Sequence, residues 1–159
     1  MKNKFKVAFA LVLIASIFAA TPVLAKGMVP FKAQTIAVAG PAPIGAPPWA
    51  QDVYGAGVAT HMGKVSVYQH HYVAPTSDPN ILNFYDGTFS WTAANGDKLT
   101  GTYSGYLQLN VAGFFEIHGQ FIIDGGTGRF QHATGGGQAS GAQHLDGTAN
   151  LTLNGLINY

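Results

Sequence analysis

The chain has 159 residues, no cysteine, 9% charged side chains and a formal charge of +1. The lack of cysteine excludes a disulfide framework and thiol catalysis, and so few charges leave no basic stripe of the kind that tracks nucleic acid. An aromatic content of 12% argues against disorder.

Lys2, Lys4 and Lys6 precede an apolar run from Val7 to Ala20, and Val23-Leu24-Ala25 has the small-residue spacing of a cleavage site. A secretory signal over residues 1–25, cleaved after Ala25, is the expectation, with a secreted or periplasmic product. An apolar run of about fourteen residues is short of the roughly twenty that a spanning helix needs, so no stable membrane insertion is expected after cleavage. Residues 26–159 are then expected to form one domain. They keep five basic residues (Lys26, Lys32, Lys64, Lys98, Arg129) against all seven acidic ones, a formal charge of 5 − 7 = −2, and nucleic acid is not an expected partner.

Lys26 to Ala39 reads as a first strand through Met28, Phe31, Thr35, Ile36 and Val38, with Pro30 making its start an edge. Residues 40–50 hold Pro41, Pro43, Pro47 and Pro48 and read as a surface loop. Asp52 to Ala59 places Val53, Gly55, Gly57 and Ala59 on one face, small residues that point to a crowded interior or a bend. After a turn at Thr60 to Gly63, Lys64 to Val73 puts Val65, Val67, Gln69, His71 and Val73 on one side. Ala74 to Asn80 is a loop, and Ile81 to Ala94 is a strand region with a bulge or bend expected at Asp86-Gly87.

Asn95-Gly96 predicts a two-residue hairpin turn with positive φ at both positions. Asp97 to Leu109 returns as a strand, and Phe114 to Asp124 follows with Phe115, Ile117, Gly119, Phe121 and Ile123 on one face. Gly125, Gly126 and Gly128 then supply the backbone freedom for a tight reversal. Gly135 to His144 and Thr148 to Asn158 are two more strands joined at Asp146-Gly147. About eight strands without a helical crossover must pair antiparallel, and closure removes their bare edges. The fold class read from the chain is therefore all-β, a single eight-stranded antiparallel up-and-down β-barrel of calycin-like form. Such a barrel is just wide enough to be packed or to hold one small ligand. An open two-sheet sandwich is the alternative.

The run Gly125-Gly126-Thr127-Gly128-Arg129-Phe130, with Ala133 and Gly135, resembles the signature shared by allene oxide cyclase-like and dirigent-like barrels. Phe89 to Gly105 and Ala59 to Lys64 resemble small secreted bacterial members of that group. The resemblance implies an eight-stranded antiparallel barrel, a homo-oligomer that is often a trimer, and a hydrophobic or phenolic small molecule in the barrel. It carries over no catalytic residue, because the catalytic positions of the plant enzymes do not map onto this chain. Shared fold does not determine activity.

Glu116 and His118, with Gln120, are the catalytic candidates: on an inward face, a carboxylate two residues from an imidazole could bias its tautomer and move protons in an apolar cavity. The competing reading puts Phe115, Ile117, Phe121 and Ile123 inside and this polar set outside, and it is preferred because those four are the better core. Arg129, Tyr103, Trp91 and Gln120 are candidate ligand contacts, with Arg129 bracing its own turn as the plainer role. Gly125, Gly126, Thr127, Gly128, Arg129 and Phe130 are assigned to the structural turn. The aromatic set Tyr54, Tyr68, Tyr72, Tyr103, Tyr106, Trp49 and Trp91 could line a pocket but is read mostly as core. His61, His70, His71, His118, His132 and His144 show no spacing that pairs two imidazoles on one side of a strand, so no metal or cofactor is expected. The expected role is binding of a small apolar or aromatic molecule, or of a protein partner. A cyclase or isomerase acting in the lumen is the alternative, and an envelope structural protein the second alternative.

Overall fold

Alternating apolar residues with no helical period leave the strands only each other to pair with, and they close completely. The computed structural model describes residues 27–40 and 45–159, so the expected signal and part of the proline-rich loop lie outside the described residues. Eight strands follow in order: β1 (Val29–Ala39), β2 (Trp49–Ala59), β3 (Gly63–Pro75), β4 (Ile81–Ala93), β5 (Lys98–Leu109), β6 (Phe115–Gly126), β7 (Thr134–Gln143) and β8 (Thr148–Asn158). Each pairs antiparallel with its sequence neighbours. β1 closes on β8, from Val29 opposite Ile157 to Val38 opposite Thr148. The predicted closed barrel is the observed fold, and the open sandwich is not.

Several boundaries differ from the sequence reading. β2 begins at Trp49, immediately after Pro48, so the loop is shorter than residues 40–50. Pro30 sits at a barrel end opposite Leu156, and closure removes the edge that its presence predicted. β6 runs two residues past Asp124 to Gly126, because Thr127 and Lys98 continue the pairing. Thr127 N–H donates to the Lys98 carbonyl at 2.9 Å and Lys98 N–H donates to Thr127 Oγ1 at 2.9 Å. The reversal that follows is a single 3-10 turn, Gly128–Phe130.

The hairpin at Asn95-Gly96 is not the predicted turn: Gly96 has φ 89°, while Asn95 is not among the positive-φ residues. Gly96 N–H bonds the Ala93 carbonyl, and Ala93 N–H bonds the Asp97 carbonyl. The same bonding pattern recurs at Asn110 to Phe114 and His144 to Thr148, with Gly113 and Gly147 at the positive-φ position. A longer loop built on an ordinary turn and a terminal glycine serves all three.

The inner faces carry the core in two clusters. One, around Phe31, Trp91, Leu99, Ile123, Phe130 and Ile157, fills the end where the Gly128–Phe130 turn folds across the barrel. The other, Val73, Phe84, Leu107, Ile117 and Ala149, lies toward the opposite end. Small inner residues are what allow this. A Cβ on Gly57 would stand 2.1 Å from the Gln34 carbonyl oxygen, so β2 approaches β1 as only glycine permits. On β1 the inner set is Phe31, Ala33, Thr35 and Ala37, and the bulkier Ile36 and Val38 face outward, 62% and 51% exposed.

At the closed end Phe130 is fully buried against Tyr159, ring centroids 5.2 Å apart. Arg129 lies over the Phe130 ring, donates to the His61 carbonyl and approaches Asp97 at 3.8 Å. Its guanidinium thus joins the turn to the β2–β3 connection as well as bracing it. Removing Phe130 opens a cavity that surrounding strands cannot collapse into, whereas Arg129 is half exposed and its ion pair is water-screened. Phe130→Ala is expected to lower stability by about 3–5 kcal/mol and Arg129→Ala by no more than about 1 kcal/mol, read from urea unfolding midpoints.

Candidate ligand site in the barrel lumen

A single extra residue in β4 builds the site. Pairing with β3 shifts between His70 and Tyr72, and pairing with β5 shifts between Phe84 and Gly87, both because Tyr85 and Asp86 occupy the space of one residue. Asp86 takes φ 49°, and the predicted bulge at Asp86-Gly87 is present. Its effect is a change of face: the buried positions pass from Phe84 to Gly87, Phe89 and Trp91, so the inner side moves from even to odd numbers.

Gly87 leaves space that Tyr103 uses. A Cβ there would lie 2.8 Å from ring atoms of Tyr103, which stands opposite Gly87 on β5. Across the bulge the Tyr103 hydroxyl meets His71 Nδ1 at 2.5 Å, and the two rings meet edge to face at 5.6 Å. Phe84 packs on both, at 5.7 Å from His71 and 5.9 Å from Tyr103. His71 is 8% exposed. Tyr103 is half-buried as a residue because it also borders a groove outside the wall, beside Gly87 and Ser104.

Between the two core clusters lies a cavity of about 60 Å³, measured as room for the centres of water-sized spheres. One water needs roughly 10–15 Å³ on that measure, so the space suits several waters or one small molecule. Phe84, Phe89, Trp91, Phe121, Leu107 and Leu153 are among its apolar wall residues, with Gln69, His71, Tyr103, Gln120 and Gln143 as polar members. No charged side chain lines it. On β7 the inner positions opposite Ile157, Gly155, Leu153 and Leu151 are Gly135, Gly137, Ala139 and Gly141, and of these Ala139 stands in the cavity wall.

Burial dominates the electrostatics. It pushes His71 down to about 4, with the neighbouring His70 adding a smaller push and Asp52 a smaller pull the other way. Burial also pushes the Tyr103 hydroxyl well above its ordinary value of 10.0. Both groups are therefore neutral at physiological pH. A phenol keeps its proton, and His71 Nδ1 is the partner of the Tyr103 hydroxyl among the described residues; with the hydroxyl assigned as the donor, the imidazole proton lies on Nε2.

The sequence candidates divide between inside and outside. Trp91 and Tyr103 line the cavity, and Trp91 is 2% exposed. Gln120 stands exposed on the outer side of β6 and reaches the cavity's edge beside Gly119, which adds no side chain to the wall. Arg129 belongs to the closed end, away from the cavity lining.

Glu116 and His118 are outside, 3.7 Å apart and nearly half exposed; Glu116 accepts from Asn110 Nδ2 at 3.2 Å and His118 stacks on Tyr106 at 4.8 Å. The acid–base arrangement in a cavity is thus not formed by these two. Ile117, Phe121 and Ile123 take the inside because they bury more apolar surface.

The reading of the tyrosines as core is overturned for four of them. Tyr54, Tyr68, Tyr72 and Tyr106 are 58%, 42%, 38% and 38% exposed. They pair on the outer face instead, Tyr54 with Tyr68 at 5.3 Å and Tyr72 with Tyr85 at 6.1 Å. There Asp52 accepts from Tyr68 at 3.0 Å and bonds His70 Nδ1 at 2.9 Å; these bonds, that of His70 first, hold its carboxyl below the usual carboxylate range. His70 and His71 do diverge, as adjacent strand positions must. Among the described residues no group of three potential metal-binding side chains converges.

His71 was missed as a site residue, although a signal existed: Gln69 and His71 interrupt an otherwise all-valine face of β3. Neither the known protein-family models nor the curated proteins contain a match for this chain.

The unfolded chain protonates His71 near 6.5 and the folded one only near 4. Between those values the unfolded chain binds more protons, so stability falls as pH drops from about 6.5 to about 4 and is fully retained above that window. The loss attributable to His71 is up to ~3 kcal/mol. Asp52, held below 3.8, titrates beneath this window. His71→Phe is expected to flatten this part of the profile, measured by urea unfolding at pH 7, 5.5 and 4.5.

Proposed function

We propose that this protein is a binding barrel that holds one small apolar or aromatic molecule in its lumen. The observation that carries the reading is an apolar cavity inside a closed barrel, walled by aromatic rings and free of charged side chains. A few fixed polar groups in an otherwise apolar concavity are what small-molecule sites generally show. The resemblance of Gly125 to Phe130 to allene oxide cyclase-like and dirigent-like barrels supports the same reading. The basic start and apolar run before Val23-Leu24-Ala25 support an exported carrier.

Binding is favoured over lumenal catalysis by the state of the polar pair. An acid–base catalyst works best with a pKa near the operating pH. Burial drives His71 down to about 4 and the Tyr103 hydroxyl upward, so neither is poised to exchange protons near neutrality.

The test compares a blocked lumen with an altered surface. Ala139 lies on the small-residue inner face of β7 and lines the cavity, so Ala139→Phe places a ring in the open space. Native mass spectrometry and ethylbenzene titration are expected to show binding to the natural chain, at least tenfold weaker binding to Ala139→Phe, and unchanged binding to the double variant Glu116→Gln/His118→Ala. Equal binding by the natural chain and Ala139→Phe would place the ligand elsewhere and sink the lumenal reading.

A further inference from the structure

The polar atoms of the cavity say which chemistry its occupant must carry, on the premise that the lumen is the binding site. His71 is more than nine-tenths buried, lines the cavity and commits Nδ1 to Tyr103. Its Nε2 has no hydrogen-bond partner among the described residues. Yet it is not among the buried side-chain atoms sealed off without one, of which Trp91 Nε1 is the single described case. Nε2 is therefore not sealed off, and the lumenal cavity is the described pocket that His71 borders.

Tyr103 sets the direction of the hydrogen bond. With its hydroxyl assigned as the donor to Nδ1, the free ring nitrogen carries the proton and presents a donor. A buried donor left unmatched costs roughly 1–3 kcal/mol, which an acceptor atom on the occupant would recover. The charge on the occupant is limited as well. With no cationic or anionic side chain in the lining, an ion would lose its hydration without a counter-charge.

We propose that the lumen selects a small neutral molecule with an apolar body and one carbonyl or ether oxygen, the oxygen accepting from His71 Nε2–H. Its body packs against Trp91, Phe89 and Phe121, the aromatic side of the same cavity. Tyr103 is a positioning residue: it holds the imidazole tautomer and leaves contact with the oxygen to His71.

Acetophenone and ethylbenzene differ by a carbonyl in place of a methylene, and benzoate adds a charge. Affinities for the three are measured at pH 7.5 by tryptophan fluorescence titration of the natural chain and of His71→Phe. The ketone gives up more hydration than the hydrocarbon, so the quantity to read is the ratio of their affinities in each protein. The natural chain is expected to bind ethylbenzene and acetophenone, with benzoate at least tenfold weaker than the ketone. His71→Phe is expected to reduce the ketone-to-hydrocarbon affinity ratio about tenfold.

If the hydrocarbon binds but His71→Phe leaves the ratio within twofold, or benzoate binds as well as the ketone, the acceptor proposal is overturned and the carrier reading stands. If neither neutral compound binds, both are overturned. Should His71→Phe fail to show the sheet signal of the natural chain in circular dichroism, Tyr103→Phe takes its place. It releases Nδ1 and with it the tautomer, so the ratio is expected to fall at least twofold, and an unchanged ratio overturns the proposal.

Discussion

The pairing of β1 with β8 is the constraint from which the rest follows. Until those strands meet, each strand has two faces of comparable standing and the sheet has two bare edges. Once they pair, one face of every strand becomes a finite interior. Volume then selects what can lie there: Ala33, Ala37, Gly55 and Gly57 are inside where β1 and β2 crowd together, while Ile36, Val38 and Tyr54 are displaced to the surface. Apolar character alone would have sorted these residues the other way. Space outweighs hydrophobicity at this point of the wall because a clash with backbone cannot be relieved by a rotamer change.

The interior is unevenly filled, and that unevenness makes the site. The Gly128–Phe130 turn drives a fully buried phenylalanine into one end, and Phe31, Trp91, Leu99, Ile123 and Ile157 complete the packing there. Toward the other end the small inner face of β7 lies between Phe121 on β6 and Leu153 on β8, and a cavity remains with Ala139 in its wall. One unmatched residue in β4 moves the inner side by one position beside this cavity, bringing His71 and Tyr103, 32 residues apart, into contact. The apolar surroundings then hold both groups neutral. Packing, register and protonation state are thus linked through the same few residues.

Much of the architecture could be read along the chain. Period-two alternation located all eight strands within a few residues, since a half-buried strand has no other way to satisfy both faces. Gly96 and Gly147 marked hairpins, and Asp86-Gly87 marked the bulge, because these residues accept backbone angles that others resist. The details of the turns were less legible: the pair Asn95-Gly96 fits both a two-residue turn and the longer loop actually formed, and only the pairing of Ala93 with Asp97 separates them. The inner side of β6 was also legible, as Ile117, Phe121 and Ile123 outweigh Glu116, His118 and Gln120.

By itself the sequence determined that this is an antiparallel sheet protein with eight strands, short glycine-ended hairpins and a glycine-rich reversal near Phe130. Those are local properties of backbone angle and side-chain period. Tertiary structure alone decided that four tyrosines face outward, that a cavity remains in the lumen, and that Tyr103 meets His71 in its wall. Each of these depends on which residues face one another across a closed lumen, and no separation along the chain encodes that distance.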